Sequence, residues 1–388
     1  MAEVDVLARL VRDVDDRIRG WKRLEAYYDG SRRLEALGLA LPPELEDLAT
    51  VINWPGMYVD AIEERLDVEG FRLGGQDQAD DELWGWWQAN NLDEESGMGH
   101  LDALVHGKAY TCVGYPDSAD DAPVITVESS RYMAATLDPR TRRVSEAVRL
   151  WDDSEVGIPQ RATLYLPHAN VYWRRDRYEG WIEDDRDDHN LGETLVGLLV
   201  NRQRLAKRTG TTEMRDVMDL TDAACRSITN LQGAQELLAV PQRFVTGATE
   251  GDFVDENGDP IPAWEAYLGR LQALMNENAK VFQLDGADLR NFTEVLRMYA
   301  QLGSGLTGLP AHYWGFTSDN PASADAIRSS ESRLVKKSER KQRGFGGGWE
   351  QTQRLGMLVA GRDPRDAARL ETVWRDPATP TYAARADA

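Results

Sequence analysis

Apolar residues recur at helical spacing over the first 29 positions. Val4, Leu7, Leu10, Val11, Val14, Ile18, Trp21, Leu24, Tyr27 and Tyr28 fall on one face, which predicts an amphipathic helix. Residues 31–50 carry Pro42-Pro43 and read as a loop. A second helix is expected over 53–70, with Met57, Ile62 and Leu66 inward and a stop at Gly70. Leu83 to Trp87 opens a third helical zone ending near Asn90-Asn91, and His100 to His106 lies on a fourth that stops at Gly107. From Ala109 to Pro167 the period falls to two, in segments such as YTCVGY, PVITVES, RRVSEAVRLW and RATLYLP. Val171 to Arg175 with Tyr178 to Trp181 predicts a further hairpin, 183–190 a solvated acidic loop, and 191–202 a buried apolar segment.

Helical spacing returns at Thr211. Met214, Val217, Met218, Thr221, Ala224, Ile228, Leu231 and Leu238 mark one face as far as Pro241. Residues 245–263 form a Gly/Asp/Pro-rich excursion, 264–282 is mixed, and Asp288 to Leu302 is helical again. Residues 303–320 are rich in Gly, Pro, Ser and Asn and read as a loop, with glycines 303, 305, 308 and 315 lending it freedom. Asn320 is a plausible cap and Pro321 a plausible first residue for a long helix. That helix is expected to break at Gly344 and the run Gly346-Gly347-Gly348 before Trp349. ETVWRDP in the tail suggests a short strand. Helices at both ends and strands between make an α+β chain.

At 388 residues the chain has room for two or three domains. Its net charge of −21 excludes a surface built simply to grip phosphates. A polyanion that must slide past, in contrast, suits an acidic or neutral lining. Cys112 and Cys225 lie far apart, in no metal-like spacing, and read as reduced thiols. The N-terminus has no signal-peptide core, and apolar runs such as Leu195 to Val200 are too short to span a bilayer. The expectation is a soluble intracellular product without membrane contact.

No catalytic signature stands out. His100, His106, His168, His189 and His312 form no H-x-E or H-E-x-x-H pattern, so structural histidines are expected, with no metal and no cofactor. The clustered glycines after 344 follow a helix, whereas a phosphate cradle precedes one. Acidic clusters at 80–82, 93–95, 117–121 and 183–188 sit in loops and read as solvated surface; a metal-dependent nuclease using them is the competing reading. The segment 321–354 differs from the rest, with eight basic residues against four acidic. Arg333, Lys336, Lys337, Arg340 and Lys341 recur every three to four residues as a basic stripe. It fits a solvated face, salt bridges to acidic neighbours, the acidic face of an identical subunit, or a phosphate backbone.

The order of several soft motifs resembles the portal proteins of long-tailed bacteriophages, in the Gp6-like branch common among phages of actinobacteria. The motifs are Asn53 to Leu66 with Val68 to Phe71, Leu101 to Tyr110, Leu191-Gly192, Val200-Asn201-Arg202, Glu213 to Asp222 and Ala239 to Phe244. The most specific are Gly308-Leu-Pro310 and Asn320 to Ala326, with the helix ending Lys341 to Phe345. The resemblance implies a portal fold. It divides the chain into a wing (1–210), a stem helix (211–242), a clip (243–286), a second stem helix (287–302), a tunnel loop (303–322), a long wing helix (323–360) and a crown start or tail (361–388). Relatives of this kind often continue beyond this point, so a small or missing crown is expected. It also implies a homo-oligomeric ring, usually of twelve copies, at one capsid vertex. Double-stranded DNA would pass through it, with the major capsid protein, terminase large subunit and head-tail adaptor as partners. The protein would sit in the virion after assembly in the host cytoplasm. Trp314, Phe316, Ser318, Asn320 and Ser323 would face DNA, and the basic stripe would meet a subunit or DNA. Asp252, Phe253, Asp255 and Asn257 would make clip contacts. A helical scaffold without DNA passage is the remaining alternative.

Overall fold

The first helix, α1 (Glu3–Tyr28), buries Leu7, Leu10 and Val14 of the expected stripe together with Val6, whereas Val4, expected on that face, is exposed at the helix start. They pack on one face of an antiparallel sheet in the order β4 (Met133–Leu137), β5 (Val144–Trp151), β6 (Arg161–Tyr165), β7 (Asn170–Asp176) and β8 (Gly180–Asp187). Strand periodicity divides that sheet's side chains. Val148, Leu150, Leu164, Val171 and Trp173 meet α1, while Ala147 and Tyr165 meet Tyr110, Cys112 and Val196 behind. The second layer is the sheet β3 (Val124–Ser129), β2 (Lys108–Gly114) and β9 (Val196–Val200), with β2 central.

These facts come from a computed structural model that describes residues 2–31, 50–74, 78–116, 118, 121–151, 159–238, 243–246, 280–283, 289–315 and 324–378. Two compact units are present: Met1–Arg32, Asn53–Thr221 and Leu302–Ala388 make one, and Arg33–Ile52 with Asp222–Gln301 the other. In the second unit most of α5 (Met218–Leu238) holds the Cys225 thiol against the Ile52 amide at 3.3 Å, and β10 (Arg243–Thr246) pairs antiparallel with β11 (Lys280–Gln283). The expected clip contacts Asp252, Phe253, Asp255 and Asn257 lie outside the described residues.

In the first unit, Asn53 caps α2 (Trp54–Glu63), accepting from the Gly56 amide at 3.0 Å. That helix ends seven residues before the expected stop at Gly70, which instead lies in β1 (Val68–Arg72), paired with β12 (Glu371–Trp374). Phe71 thereby enters the core beside Trp87 of α3 (Asp81–Ala89). Residues 183–187, expected as loop, extend β8 along the edge of its sheet, because one edge strand need bury only one face.

The third layer is α4 (Leu92–His106) and the long helix α7 (Ala324–Val359), both against the β2–β9 sheet. The expected break at Gly344–Gly348 does not occur; α7 runs through it for 36 residues. The reason is close approach. A Cβ on Gly348 would lie 2.7 Å from the Leu198 carbonyl oxygen and 2.6 Å from a Leu199 methyl, and one on Gly346 3.2 Å from the Trp374 indole nitrogen. Glycine lets the helix rest on strand backbone, and the Thr111 and Thr352 hydroxyls close the seam at 2.6 Å. The preceding helix, α6 (Arg290–Thr307), likewise continues through Gly303 and Gly305, which were expected in a loop.

Candidate functional site: the lysine anchor of the long helix

Three remote segments meet where α4 ends. Gly107 caps α4 at φ +93, and a Cβ there would lie 2.8 Å from the Thr211 amide nitrogen. The Asn201 amide donates to the Gly107 carbonyl at 2.9 Å, and the Asn201 side chain donates to the Thr211 carbonyl at 2.8 Å. Gly210 crosses so closely that a Cβ would lie 2.0 Å from the Gly107 oxygen. This crossing delivers the short helix Glu213–Asp216 and holds Glu213 at 1% exposure.

The buried carboxylate is fully partnered. The Tyr58 hydroxyl donates to it at 2.7 Å and Asn201 Nδ2 at 3.2 Å, while Arg202 Nε lies at 3.3 Å. Lys337 Nζ lies 3.6 Å away, and Lys341 Nζ donates to the same carboxylate. Burial alone would raise the Glu213 pKa. Lys341, Arg202 and Lys337 more than offset it and hold the group down to about 2. Desolvation lowers the Lys337 ammonium to about 8 against the pull of Glu213, and burial lowers Lys341 as well.

The same lysine row reaches the end of α6. Lys337 donates to the Thr307 carbonyl at 2.7 Å and Arg333 to the Gly305 carbonyl at 2.8 Å. Those carbonyls belong to the last turn, where cations are favoured. Gly308 then turns the chain at φ +78, and Leu309, Pro310 and the short helix Ala311–Trp314 follow. Trp314 was expected to face DNA. It is 6% exposed, stacked edge-on against Trp54 at 5.0 Å and flush on Gly303, where a Cβ would lie 2.4 Å from its ring. The missing Cβ at Gly303 lets the indole pack directly on helix backbone and removes its apolar ring from water. Phe316, Ser318, Asn320 and Ser323 lie outside the described residues.

The expected basic stripe divides in two. Lys337 and Lys341 turn inward to Glu213, on the face that also buries Leu334 and Phe345. Lys336 is exposed and pairs with Glu339 at 2.6 Å, and Arg333 and Arg340 are also exposed. A signal was available: Leu334, Lys337, Lys341 and Phe345 fall at i, i+3, i+7 and i+11, a helix face on which two lysines sit between core residues. Glu213, Tyr58, Asn201 and Arg202 were given no role by the sequence reading, although three of its soft motifs contain Tyr58, Asn201, Arg202 and Glu213.

Elsewhere, two of the histidines are buried structural groups. His100 is buried, accepts from the Trp349 indole at 2.8 Å and stacks on Phe345, and burial pushes its pKa down to about 3. His106 stacks on Trp21 and is lowered to about 4 by burial. Both cysteines are free and buried. Among the described residues no group of three His, Cys, Asp or Glu side chains is placed to hold a metal ion, and no helix is long and apolar enough to cross a membrane.

The sequence matches known proteins along nearly its whole length. A family model described as phage portal protein, SPP1 Gp6-like, matches residues 8–388. The chain is 43% identical over 390 residues to the portal protein of Mycobacterium phage D29, covering 98% of this chain and 80% of that one. It is 44% identical over 372 residues to the portal protein of Mycobacterium phage L5, covering 94% and 76%. A solved structure of the virion of a native gene transfer agent particle aligns at a TM-score of 0.49 and 12% identity, over 95% of this chain and 87% of that chain. The chain belongs to the SPP1 Gp6-like family of phage portal proteins. It is thus a bacteriophage virion component of a structural family.

Proposed function

We propose that copies of this chain, twelve by family precedent, close into a ring at one capsid vertex and form the channel through which double-stranded DNA enters during packaging and leaves during ejection. The observation that carries this reading is the family match over residues 8–388, supported by close relatives along nearly the whole chain. The ring would seat in the major capsid protein and receive the terminase large subunit during assembly in the host cytoplasm, then the head-tail adaptor. In this reading residues 1–210 and 323–360 are wing, 211–242 and 287–302 are stem helices, 243–286 is the clip, 303–322 the tunnel loop and 361–388 the start of a crown. The pairing of β10 with β11 near the two ends of 243–286 supports a clip that leaves and returns at one place.

The anchor gives the channel loop a mechanical footing. Lys337 and Arg333 clamp the last turn of α6, and Trp314 is fixed in the core, so 316–323 is the part left to meet DNA. Phe316, Ser318, Asn320 and Ser323 are the proposed DNA-facing residues. Arg333, Lys336 and Arg340 are the proposed outward part of the basic stripe. Asp252, Phe253, Asp255 and Asn257 are proposed to touch partners at the clip. The chain guides DNA without altering it covalently, so the chemistry is electrostatic and steric.

Mass photometry and negative-stain imaging of the purified protein test this reading. The expected result is a closed ring many times the 43.5 kDa of one chain. A 43.5 kDa species at every concentration, and single copies in assembled particles, would overturn it.

A further inference from the structure

Two adjoining cavities of about 310 and 470 Å³ form one groove along α7, sharing Val200, Gln203 and Gly344. Its floor is apolar or bare: Val144, Leu198 and Val200 lie beside Gly344 and Gly347, around which a Cβ would meet nothing within 4 Å. Its rim has a cationic excess. The two acids of the lining are already paired, Glu193 with Arg143 and Glu213 with its lysines, whereas Arg142, Arg208 and Arg340 have no acidic partner among the described residues. Arg142 holds its place at φ +68, a conformation that Gly or Asn adopts more readily. In a chain of net charge −21, three unpaired guanidinium groups around one groove are a local inversion of sign.

An opposite surface exists on the same molecule. Strand β8 is the edge of its sheet among the described strands; of its four carboxylates, Glu183 pairs with Arg186 and Asp184 with Arg161 and Arg174, which leaves Asp185 and Asp187. Asp185 and Asp187 point to one face, two residues apart, and neither has a cationic partner among the described residues. Groove and edge are different surfaces, so matching them between copies makes a head-to-tail contact, the kind that closes rings.

We infer that the groove bounded by Arg142, Arg208 and Arg340 receives the acidic edge strand β8 of a second copy of this chain. The inference rests on the ring reading above and assigns one of its contacts. The chain's own excess of carboxylates makes a neighbouring copy the nearest source of complementary charge, and the glycine floor admits a polypeptide at close range. Charge swapping tests it on the full chain, read by mass photometry, circular dichroism and thermal melting. The triple variant Arg142→Glu, Arg208→Glu, Arg340→Glu is expected to keep the monomer's melting temperature while raising the assembly midpoint at least about tenfold. Asp185→Arg with Asp187→Arg should do the same. A chain carrying all five changes should regain rings, because both surfaces are reversed together. Normal rings in the triple variant, or failure of the five-fold variant to recover, would overturn the contact while leaving the ring reading in place. Rings that persist in the triple variant with weakened duplex DNA binding would also overturn it and make the groove a phosphate site. If the unmodified chain never forms rings, the ring reading falls and this contact with it.

Discussion

The two halves of α7 are held by opposite physics. From Arg333 to Lys341 the helix is fastened by charge: two lysines converge on one buried carboxylate and reach into the last turn of α6. From Gly344 to Val359 it is fastened by shape, with glycines on strand backbone and Trp349 and Phe345 packed around His100. A charged anchor is all-or-none, since removing one partner strands the others out of water. A packed anchor degrades in steps as methyl groups are lost or forced in. The half nearer the proposed channel loop is therefore the half that fails abruptly.

The largest expected effect attacks the charged half. Glu213→Gln leaves Lys337 and Lys341 without their counter-ion, while Arg202 keeps Asp216 at 2.6 Å, and should cost about 3–5 kcal/mol in denaturant unfolding. A cost near zero would mean that the lysines escape to water and that the anchor is not a unit. Because Glu213 has its pKa depressed to about 2, its contribution is present above the ordinary carboxylate range near 4.5 and is lost only as pH falls through about 2. The packed half is tested next. Gly348→Ala drives a methyl into the Leu198 carbonyl and should cost about 1–3 kcal/mol.

His100 sharpens the contrast through pH. Its folded pKa is depressed to about 3, so its stability contribution is present above its ordinary value of 6.5 and lost as pH falls towards 3. Relative to the parent chain, His100→Phe should flatten stability against pH in that window by about 1.4 kcal/mol per unit. An unchanged slope would show that the ring is not the buried proton acceptor. Gly347→Ala, one residue from the close contact and open around its Cβ, should stabilise the helix by up to about 1 kcal/mol; a loss would place a neighbour there. Smallest of all, Lys336→Ala should shift unfolding by no more than about 0.5 kcal/mol, since its pair with Glu339 is exposed.

The apolar framework of the fold was more legible in sequence than the charged anchor. The α1 stripe, the strand zone from Ala109, the stop at Gly107 and the strand in ETVWRDP all follow from period and punctuation. Glycine misled twice: at 303–305 it was read as loop freedom and at 344–348 as a helix break, but Gly303, Gly346 and Gly348 serve close contact, which depends on a partner remote in sequence. Lysine misled for a related reason. Its charge predicts exposure, and only the apolar neighbours at helical spacing betray Lys337 and Lys341 as inward. The carboxylate they need lies more than a hundred positions away, where no local pattern marks it.

The crossing at Gly107, Asn201 and Thr211 also sets an order of events. Everything from β2 through β9 is a loop whose mouth is the Asn201-to-Gly107 hydrogen bond. Closing a loop of about 90 residues costs on the order of 4 kcal/mol in chain entropy, recovered only after the sheets inside it have formed. Glu213 lies just past that mouth, so its pairing with Lys337 and Lys341 adds a second long closure to the first. On this argument the charged anchor is expected to form after the sheets, and pulse-labelled hydrogen exchange that finds the Glu213 segment protected before β2 and β9 would overturn that order.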